Sequence, residues 1–311
     1  MPAAAPPLLL FLVAGLLCAS AGTAAPSVKP ARYTLHATQT WHPDPPARGR
    51  FDASALLFLP DGSLLTVNDK APGLFRIDFA TNGTAALVAL PEAMTKAQLA
   101  PLAALKHGAY DCEGLGRDDR GRIYVSEESD RWILRFDPAT KAVERLEIDW
   151  KPVRKWFSSD RNASFEGVAI GGGTLYVANE REIGRLITVD LATLKVTGSF
   201  QVTPIGLPAR DVHYSDLSWF EGELWVLCRE SRCVLRVNPA TQKVLAQFDY
   251  LEIETSPENA YSHPYPYGFT EGLAVDAKNI WLIVDNNGFP RVADPKDRRP
   301  TLWRCERPDR K

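Results

Sequence analysis

Basic charge, cysteine and long apolar runs are all scarce in this sequence. Beyond residue 25 no stretch is long and apolar enough for a membrane helix, which needs about 20 apolar residues in succession. Lys and Arg total 36 against 38 Asp and Glu, and the formal net charge is −2. With no basic field on the chain, nucleic acid is a poor candidate partner. There is no G-x-S-x-G elbow, no P-loop, no H-E-x-x-H and no glycine-rich dinucleotide fingerprint. Their absence argues against a serine-triad esterase.

The first 25 residues differ from the rest. Leu8 to Leu17 is an apolar run too short to span a bilayer, and small residues follow from Ala19 to Ala25. This pattern predicts a secretory signal over residues 1–25, cleaved near Ala21 or Ala25, and a secreted or periplasmic location. Cys18 does not mark a lipoprotein, because Leu17 stands where lipid attachment requires a small residue. The mature chain then keeps Cys112, Cys228, Cys233 and Cys305, an even number in an exported protein. Cys228 and Cys233 flank one tight hairpin, where they either bridge its strands, the expected state in an oxidising compartment, or remain reduced core residues. Four residues between them and no partnering His or Cys pair argue against zinc.

What is abundant is repetition. Tyr110 to Val143 opens with Glu113-Gly114-Leu115, turns at Asp119-Arg120-Gly121, alternates from Arg122 to Ser126 and again from Trp132 to Phe136, and turns at Asp137-Pro138. A fourth alternating stretch runs from Val143 to Ile148. The same plan recurs with openings at Ser54-Ala55-Leu56, Glu166-Gly167-Val168, Ser215-Asp216-Leu217 and Glu271-Gly272-Leu273, at spacings of 59, 53, 49 and 56 residues. Four copies share an Ala-Thr pair in the turn before the last strand. Such units predict an all-β fold, a β-propeller of five four-stranded blades (six remaining possible) that fills residues 26–311 as a single domain. The fifth unit ends after its third strand, Thr301 to Cys305, while Arg32 to Ala37 alternates near the N-terminus with no unit of its own. The segment around Tyr33 to Ala37 is therefore expected to close the ring.

In a propeller the first strand of each blade lines the central channel, so Ser54, Glu113, Glu166, Ser215 and Glu271 are expected to face one another. Three carboxylates converging in a partly buried channel repel one another and lose hydration unless protons or a cation compensate. An oxygen-only ligand set favours calcium, whose six to eight coordination positions accept carboxylates, hydroxyls and water. The alternative is that each opening only bonds neighbouring backbone amides. A second polar set lies fourteen residues on, at Asn68, Glu127, Glu180, Arg229 and Asp285, which antiparallel pairing returns to the same mouth. The residues after them, Asp69, Glu128, Arg181, Glu230 and Asn286, are expected on the other side, bracing neighbouring blades. Long inserts between blades bring Trp156, Phe157, His107 and the aromatic run Tyr261-Ser262-His263-Pro264-Tyr265-Pro266-Tyr267 to this mouth.

SALLFLPDGSLLTVNDKAPGLFRID from Ser54, the EGL and EGV openings with Asn179-Glu180, and IVDNNGF from Ile283 resemble the phytase-like propellers labelled "esterase-like activity of phytase" and the related SdiA-regulated propellers. The ring order Ser, Glu, Glu, Ser, Glu is also similar to the calcium site of calcium-activated apyrases, five-bladed propellers that hydrolyse nucleoside di- and triphosphates. That likeness implies Ser54, Glu113, Glu166, Ser215 and Glu271 as calcium ligands. One reading is a calcium-dependent hydrolase of phosphate esters or anhydrides, acting on a small anionic, phosphorylated ligand. In it Asp69, Glu127, Glu180 or Asp285 orients water and Arg181 or Arg229 holds the anion. The other reading is a non-catalytic propeller with structural calcium that binds a ligand or protein at its mouth. Fold alone does not choose between them.

Overall fold

The computed structural model describes residue 1 and residues 29–46, 49–102, 110–181, 184–208 and 212–310. Residues 2–25 of the expected signal segment and His107 lie outside the described residues. No helix among the described residues is long and apolar enough to cross a membrane. The described residues form five sheets arranged as a five-bladed propeller. Blade I runs outward through Ala53–Phe58, Leu64–Asn68, Ala71–Phe79 and Ala85–Ala89. Blade II takes Cys112–Arg117, Ile123–Glu127, Trp132–Phe136 and Val143–Arg145. Blade III takes Phe165–Gly171, Thr174–Asn179, Arg185–Asp190 and Lys195–Phe200. Blade IV takes Tyr214–Phe220, Glu223–Cys228, Cys233–Asn238 and Lys243–Asp249. Blade V takes Thr270–Val275, Asn279–Val284 and Thr301–Glu306, and its fourth strand is borrowed from the N-terminus.

The borrowed strand is N-terminal as expected but runs Ala37–Trp41, meeting the expected segment of Tyr33 to Ala37 only at Ala37. Ala31–Thr34 instead runs parallel to Lys243–Asp249, as a fifth, outermost strand of blade IV. Aromatic anchors explain the choice. Trp41 stacks on Trp281 of blade V at 5.7 Å, whereas Tyr33 stacks on Phe248 of blade IV at 5.2 Å. The buried Leu35 between them donates its amide to the Asp249 carbonyl at 2.8 Å. The N-terminal segment thus clasps two adjacent blades, and closure removes the free edge that blade V would otherwise present.

Five apolar clusters hold the ring, each filling the space between two neighbouring sheets. Between blades V and I, for example, Ala274, Trp281 and Ile283 pack against Leu56, Leu64 and Ile77. The sheets approach most closely at the openings. A Cβ on Gly167 would lie 2.4 Å from the Asp216 backbone, one on Gly114 2.4 Å from the Glu166 carbonyl oxygen, and one on Gly272 2.6 Å from the Ala55 carbonyl carbon. Glycine at these openings lets adjacent inner strands touch.

Cys228 and Cys233 are directly opposed on neighbouring strands of blade IV, both buried. Both are free thiols in the structure, so the expected bridge is not formed. Packed among Leu186, Val212, Tyr214 and Leu235, they serve as small apolar core residues.

Candidate functional site

Every inner strand carries a register shift at its opening, where a β-bulge re-aims the side chains at the channel. Just upstream of the shift the inner strand pairs with the end of the second strand. Ala53 meets Asn68 and Cys112 meets Glu127, fifteen residues apart. Phe165 meets Asn179, Tyr214 meets Cys228 and Thr270 meets Val284, fourteen apart. Structurally equivalent positions are therefore Asp69, Glu128, Glu180, Arg229 and Asp285. A shared backbone bond supports the equivalence in four blades: the amides of Asp69, Glu128, Glu180 and Asp285 donate to the carbonyls of Asp52, Asp111, Ser164 and Phe269 at 2.8–3.1 Å.

A constant offset of fourteen thus mis-registers blades I and II by one residue. Asn68 and Glu127 lie on the strand, where the Glu127 carboxylate accepts the Asp130 amide at 2.9 Å and fastens its own turn. Asp69 and Glu128, expected on the far side, line the cavity instead, as do Arg181 and Glu230. Asn286 alone of that set points elsewhere, donating to the carbonyls of Phe289 and Arg298.

The cavity measures about 210 Å³ and is lined by Glu113, Glu166 and Glu271 of the opening ring, Asp69, Glu128, Arg229 and Asp285 of the second ring, and Lys70, Asp111 and Tyr267 around them. Ser54 and Ser215 are buried but do not line it. The Ser215 hydroxyl donates to the Thr270 carbonyl at 3.2 Å, and the Ser54 hydroxyl has no partner. Beside them Asp216 crosses the channel. Its carboxylate accepts the amides of Leu273 at 2.7 Å, Leu217 at 2.8 Å and Leu56 at 3.3 Å, tying blades V, IV and I together.

The acids gather in three groups whose ligand atoms lie within 4.8 Å of one another: Asp52 with Asp69 and Asp285, Asp69 with Asp111 and Glu113, and Glu128 with Glu166 and Glu180. Burial, then like charge from neighbouring carboxylates, pushes Glu113, Glu128, Glu166 and Asp285 well above the usual carboxylate range. Asp69 is raised to about 7 by burial, with Lys70 acting against the shift. Glu271 is also raised to about 7 by burial, against the pull of Arg229. Arg229 is the cation of its ring. It donates to Glu271 and, at 2.5 Å, to Glu180, and although burial opposes its charge those two acids hold it protonated. Arg181 lies 3.2 Å from Glu180 and also binds the Asn162 carbonyl.

An oxygen-only donor set fits a hard cation such as calcium. Among the residues that line the cavity, two buried carboxylate oxygens, Asp69 Oδ1 and Glu271 Oε2, have no hydrogen-bond partner. Sequence reasoning missed Asp52, Asp111 and Asp216. The first two had a signal, since an aspartate stands two residues ahead of the opening in Asp52-Ala53-Ser54 and again in Asp111-Cys112-Glu113.

The phytase-like family, "esterase-like activity of phytase", matches residues 49–288. A comparison with proteins of curated function found no match. Among solved structures, glutaminyl cyclase of Myxococcus xanthus superposes with a TM-score of 0.60 at 16% identity, over 89% of this chain and 97% of that one. Virginiamycin B lyase of Staphylococcus aureus gives 0.43 at 10% identity, over 81% and 66%. At 16% identity the likeness to the glutaminyl cyclase is one of fold alone.

Proposed function

The chain belongs to the phytase-like family, and from that premise we propose that it is a calcium-dependent hydrolase of a phosphate ester or anhydride, working at the acidic mouth of its channel. The observation that carries the reading is the cavity lined by Asp69, Asp111, Glu113, Glu166, Glu271 and Asp285, acids that outnumber the cations Lys70, Arg181 and Arg229 on its wall, so that a further cation would offset their charge. Asp69, Asp111 and Glu113 would hold the ion, and Glu166 and Glu271 line the same cavity. Of the five expected ligands this keeps Glu113 in direct contact and leaves Ser54 and Ser215 as buried supports. When bound, calcium supplies charge that polarises a phosphoryl oxygen.

The chain's own groups do the rest. Arg181 and Arg229, on the wall opposite Asp69, hold the phosphate's remaining negative charge. Glu271, with one oxygen fixed by Arg229 and the other unpartnered, orients the attacking water and takes its proton. A group raised to about 7 can accept and return that proton near neutrality. Glu180 fixes both arginines rather than touching water. The signal pattern of residues 1–25 supports a site for this chemistry outside the cytoplasm.

The test is hydrolysis of 4-nitrophenyl phosphate, phytate and ATP by the mature protein with calcium and with chelator. We expect turnover that requires calcium and falls at least about a hundredfold in Glu271→Gln, as for loss of a general base. Calcium binding without turnover on any of these would move the assignment to a non-catalytic propeller that uses the same mouth for a ligand or protein.

A further inference from the structure

The loop that leads into blade V stands against the acidic cavity and carries a run of stacked rings. Tyr265 and Tyr267 stack at 5.0 Å with an interplanar angle of 13°. Tyr267 continues onto Phe269 at 5.5 Å, and Phe289 meets Tyr265 edge-on at 6.2 Å. Tyr267 itself lines the cavity, and its phenol stands in the electrostatic field of Arg229, Glu230 and Arg181. Tyr265, by contrast, is 46% exposed. Of the exposed large apolar residues among those described, it is the one joined by ring stacking to a residue that lines the cavity.

The exposure is built in. Pro264 and Pro266 flank Tyr265 and restrict the backbone on both sides. Arg232 donates to the Pro266 carbonyl at 3.1 Å, from the same hairpin that carries Arg229. Gly268 lies so close that a Cβ there would sit 2.6 Å from the Arg229 carbonyl oxygen. An aromatic side chain held outward, already stacked on one face and fixed beside the arginine wall, loses little freedom on accepting a second ring.

We propose that the Tyr265–Tyr267 stack is a substrate subsite for a planar ring, so that aryl and other planar-ring phosphates are preferred over alkyl phosphates. The proposal rests on the reading of the cavity as a calcium-dependent phosphate site. A phosphate seated between the calcium ligands and the arginines leaves its organic substituent to exit along the loop, where Tyr265 offers the open face. Stacking of this kind favours a ring by roughly two- to tenfold over a group that cannot stack.

The experiment compares binding of phenylphosphonate and methylphosphonate, neither of which can be hydrolysed, to the calcium-loaded protein by calorimetry. Wild type should prefer the phenyl probe by about fivefold, Tyr265→Trp should keep the preference, and Tyr265→Leu, apolar but not planar, should reduce it to within about twofold. Equal binding of both probes to wild type, or a preference that survives Tyr265→Leu, overturns the ring subsite and leaves the phosphate site standing. Binding of neither probe removes the phosphate reading and this proposal with it.

Discussion

The two mouths of the channel are built from the same five inner strands and could hardly differ more. At the strand starts the cavity of about 210 Å³ is walled by carboxylates. At the strand ends a cavity of about 290 Å³ is walled mainly by apolar side chains such as Leu56, Leu115, Val168 and Trp219, with Arg117, Asp119 and Asp276 also lining it. Asp216, bonded to inner-strand amides of three blades, lies in the channel alongside these strands. A propeller therefore has no structural need for a cluster of acids at its mouth, because at the other end the same strands close around a mainly apolar wall with only Asp119 and Asp276 among its lining acids. Buried acids with raised affinity for protons reduce stability in the absence of a partner, so their concentration at one end speaks for a bound cation there.

That contrast can be broken most severely at Arg229. Arg229→Ala leaves Glu271 buried without its partner and Glu180 with Arg181 alone, which should lower the stability of the calcium-free protein by about 3 kcal/mol. Calcium should recover part of the loss, measured by urea unfolding with and without the ion. A change under about 1 kcal/mol would mean that those acids are already protonated and need no counter-charge.

A matching change at the other mouth should separate stability from ion binding. Trp219 stacks on Tyr176 at 5.6 Å and lies flush on Gly171, where a Cβ would meet its ring. Trp219→Ala should cost about 2 kcal/mol of stability while leaving calcium affinity within about twofold of wild type. A large loss of calcium affinity in this variant would show the two ends to be coupled through Asp216.

Proton linkage sharpens the contrast further. Asp69, Glu127 and Glu271 are each raised to about 7, burial being the main cause. Between about pH 4 and 7 the native state accordingly binds more protons than the unfolded chain. The stability these acids contribute is fully present below that window and is lost as pH rises through about 7. Melting temperature of the chelated protein should fall across this range, and calcium should flatten the fall. Because calcium displaces protons, its affinity should rise with pH, by up to about tenfold per unit for each proton displaced. A chelated protein that gains stability from pH 5 to 8 would contradict the assignment of protonated acids.

The smallest expected effect tests the register of the second ring. Glu128→Gln should weaken calcium binding, whereas Glu127→Gln, which disturbs only a turn bond, should leave it within about twofold and lower stability by about 1 kcal/mol. The reverse pattern would restore the offset read from sequence.

Much of this architecture is legible in the chain because two landmarks recur in one order, and the five openings, the shared mouth and Glu113, Glu166 and Glu271 follow from them. What sequence spacing does not carry is register. The turn after the inner strand spans five residues in blade II, from Arg117 to Ile123, and two in blade III, from Gly171 to Thr174. With bulges added, no single offset serves all five blades: fifteen reaches Asp69 and Glu128, whereas fourteen reaches Glu180, Arg229 and Asp285. The closing strand escaped for a related reason, since Ala31–Thr34 and Ala37–Trp41 both suit an outer strand and only the partners of Tyr33 and Trp41 decide between blades. Asp216 was hidden in plain view, occupying the place that glycine takes in three other openings.

The central claim, that the acidic mouth is a calcium site, is tested most directly by calorimetric titration of the chelated mature protein with calcium at pH 7.5, beside Glu113→Gln. The account predicts saturable uptake by wild type, a higher melting temperature on loading, and at least about a tenfold loss of affinity in the variant with its fold intact, the scale of removing one first-rank charge–ion contact. No uptake by either protein, with melting indifferent to chelator, would leave the carboxylates as a protonated hydrogen-bond network and contradict the account.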